Sequence, residues 1–163
     1  MALLALAAAG CGAPGAAVSP TPQSSPESPG LTSPTPVSGS PQPASTLEGS
    51  IGPPGGPGAA TQLMAKARCE EAGSRTGVAD LSWLPAASSG SEERVALTIF
   101  PEGFDTGNFQ VSPPLAARAT SYTWPKTNPD GVHRWRVLTK HGATWTPSEI
   151  SMFNGATCVA DMA

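Results

Sequence analysis

The sequence predicts an all-β fold, an antiparallel β-sandwich over residues 61–163 preceded by a long disordered linker. Two observations predict the sandwich. Apolar residues in the C-terminal part recur with a period of two rather than 3.6. Pro, Gly, Asn and Asp punctuate the same part at short intervals, at Pro85, Pro101-Glu102-Gly103, Pro113-Pro114, Asn128-Pro129-Asp130-Gly131 and Asn154-Gly155. That is the turn chemistry of many short strands. A third observation predicts the linker. From Gly12 to Ala60 the chain is mostly Pro, Ser, Thr, Gly and Ala, and Glu27 and Glu48 are its only charges. Such a segment has too little apolar surface to offset the entropy of ordering.

Taken in chain order, the linker repeats Ser-Pro-Thr-Pro at Ser19–Pro22 and Ser33–Pro36. It spans roughly 40 Å as a flexible coil and about 150 Å as extended polyproline II. Gly52–Gly58 is Gly- and Pro-rich but lacks a sustained three-residue period, so it reads as linker. In Val78–Leu84, Ala79, Leu81 and Trp83 share a face. In Arg94–Phe100, Val95, Leu97 and Ile99 do the same. Thr120–Trp124 pairs Tyr122 with Trp124. In Val132–Leu138, His133, Trp135 and Val137 lie on one face, and Arg134 and Arg136 on the other. A segment of this length supports one small core. It carries all nine basic residues and every acid of the twelve except Glu27 and Glu48, so it is close to neutral. No charge field favours nucleic acid.

These strands resemble a fibronectin type III domain. Leu81-Ser82-Trp83 is similar to the family's strand B with its core Trp, and Thr120–Trp124 is similar to strand E. Pro129-Asp130-Gly131-Val132-His133-Arg134-Trp135-Arg136-Val137 resembles the turn into strand F. The resemblance covers Cys69 to Cys158. His133 stands where the family has its corner tyrosine, and Thr127 where a core Leu is usual. The resemblance implies a β-sandwich in which strand A ends and strand G finishes at one pole, with Cys69 and Cys158 both near it.

At the other end of the chain, Leu3-Leu4-Ala5-Leu6-Ala7-Ala8-Ala9-Gly10-Cys11 resembles the lipobox of bacterial lipoproteins. The run is too short to cross a bilayer, which takes roughly 20 residues, and it suits a signal peptide. The resemblance implies a signal peptide over residues 1–10 and a lipid on Cys11. It implies a membrane-anchored protein facing the extracytoplasmic side, at the cell surface or in the periplasm. The alternative is an Ala-rich unstructured N-terminus. An odd cysteine count leaves one thiol to explain. With Cys11 lipidated, Cys69 and Cys158 are left to pair, in an oxidising compartment, or to remain as buried free thiols. No CxxC pair or His/Cys cluster is present, so no metal site is expected.

No catalytic constellation emerges, and no cofactor is expected. His133 is expected in the core and His141 on a loop, and no Gly-x-Ser-x-Gly occurs. Adjacent acids in Glu70-Glu71 and Glu92-Glu93 point to opposite strand faces. Candidate binding residues are Trp145, Arg134 and Arg136. An exposed Trp145 on the F–G hairpin would stack on sugar or anchor a protein; otherwise it packs over a sheet edge. Arg134 and Arg136 form either a recognition face or a solvated ladder. Phe104 and Phe109 flank another turn. The expected function is noncatalytic binding or adhesion by a lipid-anchored envelope protein. The alternatives are a cell-wall glycan module using Trp145 and a structural subunit of an envelope complex. Exposed, clustered aromatics favour the glycan; a buried Trp145 with an exposed apolar strand edge favours a protein.

Overall fold

The computed structural model describes residues 39–71, 76–88, 90–156 and 158; Cys11 lies outside them. The strands are β1 (Gln42–Pro43), β2 (Ser50–Ile51), β3 (Thr61–Cys69), β4 (Gly77–Leu84), β5 (Glu92–Thr98), β6 (Gln110–Val111), β7 (Ser121–Thr127), β8 (Val132–His141), β9 (Thr144–Pro147) and β10 (Ser151–Asn154). One helical turn, α1 (Gly103–Thr106), lies between β5 and β6. Strands β3, β4 and β7 form a three-stranded antiparallel sheet. The facing sheet runs β1-β6-β5-β8-β9-β2, and β10 pairs with the first half of β8. Without β1 and β2, this strand order is that of a fibronectin type III sandwich.

The alternation read from the sequence builds the core between the sheets. Ala79, Leu81, Trp83, Val95, Leu97, Tyr122, Trp124, Trp135 and Val137 are all buried there. Trp83 and Trp135 meet edge to face with ring centroids 6.4 Å apart. Ile99 departs from the expectation: it is 45% exposed. Strand β5 stops at Thr98, whose hydroxyl accepts the Phe100 N–H at 3.1 Å and turns the chain before Ile99 can continue the alternation. Two buried serines extend the ladders past the strand ends. Ser112 Oγ accepts the Val95 N–H, and Ser148 Oγ accepts the Val137 N–H, each at 3.0 Å.

The sandwich begins well before Thr61. Residues 39–60, read from composition as linker, form a strap across the outside of the larger sheet. Strand β1 pairs antiparallel with β6 at one edge, and β2 pairs parallel with β9 at the other. Ala44 and Leu47 pack on a second apolar cluster of Ala96, Phe109, Val111, Leu138 and Trp145. Buried aromatic donors fasten the strap. Tyr122 Oη donates to the Gly39 carbonyl at 2.7 Å, and Trp145 Nε1 donates to the Glu48 carbonyl at 2.9 Å. Each bond satisfies a donor that burial would otherwise strand at about 1–3 kcal/mol.

Cys69 and Cys158 form a disulfide with a Cα–Cα distance of 5.6 Å, and it closes the strand A–strand G pole. Its ends are 89 residues apart, for which loop closure stabilises the fold by about 4–5 kcal/mol in the chain-entropy model.

Gly49 is the strap's most constrained position. Its φ is +114°, and a Cβ there would collide with the Ala143 carbonyl oxygen. Gly49→Ala is expected to cost about 1–3 kcal/mol, to red-shift tryptophan emission and to open residues 39–60 to protease. An unchanged urea midpoint and digestion pattern would show that the strap contributes nothing to the fold.

Candidate functional site

Strand β7 pairs with β4 along one edge and, among the described residues, with no strand along the other. Beside that open edge, at the pole where Cys69, Gly77 and Thr127 lie side by side, the two sheets part to leave a cleft of about 270 Å³. Buried Leu97, Phe109, Trp124 and His133 contribute to its walls. Ile99, Phe100, Asn108 and Lys126 line it with exposed side chains.

Local hydrogen bonding sets each wall. Thr98 Oγ1 donates to the Asn108 carbonyl at 2.8 Å while accepting from Phe100, so one hydroxyl ties both ends of the β5–β6 connection. Inside that connection Phe104 packs on Phe109 with ring centroids 5.3 Å apart. The Arg136 guanidinium lies 4.2 Å above the Phe104 ring. On the opposite wall, β7 carries a bulge: Gly77 faces Thr127 but Ala79 faces Trp124. Lys126 absorbs the extra residue at φ +55°. Pro125, which has no N–H to donate, precedes it on the open edge, where proline is tolerated.

His133 closes the base of the cleft. Its Nε2 accepts the Asn128 main-chain N–H at 3.2 Å, and its ring stacks on Phe153 at 4.8 Å with planes 7° apart. Asn128 Oδ1 in turn accepts the Asp130 N–H at 3.1 Å. His133 therefore bonds back to the backbone just upstream, the task of the corner tyrosine. With that nitrogen committed to the main chain, His133 is a structural group and not a general base. Burial lowers its pKa below the usual 6.5. Lys126 makes no ion pair among the described residues. Among the same residues, no group of three or more His, Cys, Asp or Glu is placed to hold a metal.

The sequence-derived candidates fare differently. Trp145 is 1% exposed under the strap, so it presents no platform to a ligand. Arg136 is buried against Phe104 and not outward in solvent, because the β5–β6 connection folds over it. Arg134 is partly exposed on the same strand, so the two arginines do not form one open face. His141 Nε2 lies 3.3 Å from the Gly58 carbonyl, against the strap. Lys126, Phe100 and Asn108 were not anticipated. Two signals pointed toward them: Pro101 cutting short an apolar run, and Pro125 inside a strand.

No family model and no curated protein matches the chain. Among solved structures, it is similar to a fibronectin type III domain of human collagen XX, at 14% identity and a TM-score of 0.45, over 59% of this chain and 88% of that one. A computationally redesigned β-sandwich protein is similar at 16% identity and a TM-score of 0.46, over 60% and 95% of the two chains. A pectate lyase from Erwinia chrysanthemi matches at 15% identity and a TM-score of 0.46, over 61% of this chain and 29% of that one.

Two buried acid–base groups give opposite pH responses. His133 titrates below 6.5 in the fold, so the unfolded chain binds more protons in that range. Its contribution is complete above about pH 6.5 and is lost as pH falls through the lower folded value. Glu93 is 1% exposed. Burial raises its pKa above 4.5, against the opposing pull of the Trp83 N–H and Arg118. Its contribution is complete below about pH 4.5 and is lost as pH rises through the folded value. Urea unfolding of wild type, His133→Gln and Glu93→Gln across about pH 4 to 8 separates the two. The stability of wild type relative to His133→Gln should fall on acidification. Relative to Glu93→Gln, which keeps an acceptor for Trp83 Nε1, wild type should lose stability from about pH 4.5 to 8. Parallel profiles for all three proteins would refute both assignments.

Proposed function

We propose that this chain is a lipid-anchored envelope protein whose sandwich is a noncatalytic protein-binding module. One observation carries the binding half. The aromatic residue suited to a glycan, Trp145, lies beneath the strap, whereas Ile99 and Phe100 stand 45% and 48% exposed beside a cleft walled in part by Leu97, Phe109 and Trp124. Exposed apolar side chains next to a cavity are the features of a protein contact. The anchoring half rests on the resemblance of Leu3–Cys11 to a lipobox. The Cys69–Cys158 disulfide supports an oxidising, extracytoplasmic setting.

Two measurements test the halves separately. Expressed in a bacterial host fed an alkyne fatty acid, the chain should acquire label in the membrane fraction, and Cys11→Ser should abolish it. Label retained by Cys11→Ser would remove the anchor. Cosedimentation with protein-free peptidoglycan should fail; saturable sedimentation that soluble glycan competes away would replace the protein-binding reading with the glycan one.

A further inference from the structure

We infer that the cleft beside β7 receives one large apolar side chain of an extended polypeptide, with an acidic residue next to it set against Lys126. The inference rests on the protein-binding reading above and names the partner's chemistry. The cavity, at about 270 Å³, falls just below the roughly 300–1,000 Å³ usual for small-molecule sites, so it suits a side chain better than a cofactor. The apolar part of its lining, Leu97, Phe109 and Trp124, matches an aromatic or branched aliphatic anchor, with Thr98, Gln110 and Asn128 as its polar rim.

Charge decides what flanks the anchor. Lys126 is the cleft's lysine, exposed and without an ion pair among the described residues, and burial favours the neutral form of His133. On the far side of Phe100, a second hollow is lined by Glu102. An acidic neighbour is therefore drawn to the β7 side and repelled from the loop side. Pro125 and the bulge also break the hydrogen-bonding edge of β7, so the partner docks through its side chain and not as an added strand.

The test uses the full chain labelled with ¹⁵N and three acetylated pentapeptides. The first has a central Trp beside two Asp, the second has Lys for Asp, and the third has Ala for Trp. The Trp–Asp peptide should shift the amides of Ile99, Phe100, Asn108 and Lys126, saturating below about 1 mM. The other two should bind at least about tenfold more weakly, a difference near 1.4 kcal/mol. Lys126→Gly, which accepts the positive φ and removes the charge, should erase the Asp-over-Lys preference while leaving the folded spectrum intact. Equal binding of the Asp and Lys peptides, or no shift at about 5 mM, would overturn the inference. Shifts confined to another surface would overturn it too, yet leave the protein-binding reading standing. Saturable shifts from muropeptides alone would remove both.

Discussion

Ala96, Val111, Leu138 and Trp145 put an apolar surface on the side of the larger sheet that faces away from the core, and that surface has to be covered. An antiparallel sheet can leave one face to water only when that face is polar. The strap supplies the cover, although ordering it costs about 1–2 kcal/mol of backbone entropy per residue. It compensates with apolar contacts from Ala44 and Leu47 and with acceptors for Tyr122 and Trp145. Because its two short strands pair at opposite edges, it also closes both ends of the sheet it covers. Open edges are where sheets recruit other chains. In the smaller sheet, Pro125 and the Lys126 bulge interrupt β7, and a second bulge with Gln62 at φ +52° interrupts β3. Short terminal strands and these two bulges thus blunt the outer edges of both sheets.

How much of this was legible in the sequence follows from the range of the interactions. The strands around Trp83, Val95, Tyr122 and Trp135 were readable because alternation is local. The strap was not, because its order comes from carbonyls meeting donors far along the chain: Tyr122 with Gly39, and Trp145 with Glu48. Its two apolar anchors, Ala44 and Leu47, show no period among Pro, Ser and Gly. One signal did exist. Val137 and Leu138 are adjacent on one strand and cannot both face the same core, so one of them implied a second covered face. The expectation for Arg136 failed for the same reason. Outward on a strand was equated with exposed, and Phe104 fills that outward space. The cleft depends on where two sheets diverge, which local pattern does not encode.

His133 shows how the corner of a sandwich can change its chemistry while keeping its task. A tyrosine at the corner contributes a hydroxyl on a long lever. Histidine reaches the Asn128 N–H with a ring nitrogen and gains a stacking partner in Phe153. The exchange brings a titratable group into a place where tyrosine is inert near neutrality. Glu93 adds another, bonded to Trp83 Nε1 at 3.2 Å. Tyr122, by contrast, is pushed up by burial to about 12 and stays a donor at any physiological pH.

The strap's attachment also determines how the domain responds to mechanical load. The described chain begins at Gly39, whose carbonyl is held by Tyr122, and a two-residue pairing with β6 follows. A pull from the N-terminal side reaches these few bonds first and peels them one at a time. The 69–158 loop, cross-linked by its disulfide, is loaded only after they have gone. Residues 39–60 thus hold roughly 70 Å of extended chain length, and the part of it beyond the strap's folded span is released while the sandwich keeps its core between the sheets. The peeled state uncovers Trp145 and Leu138, so tension would convert a closed sheet face into an open apolar one.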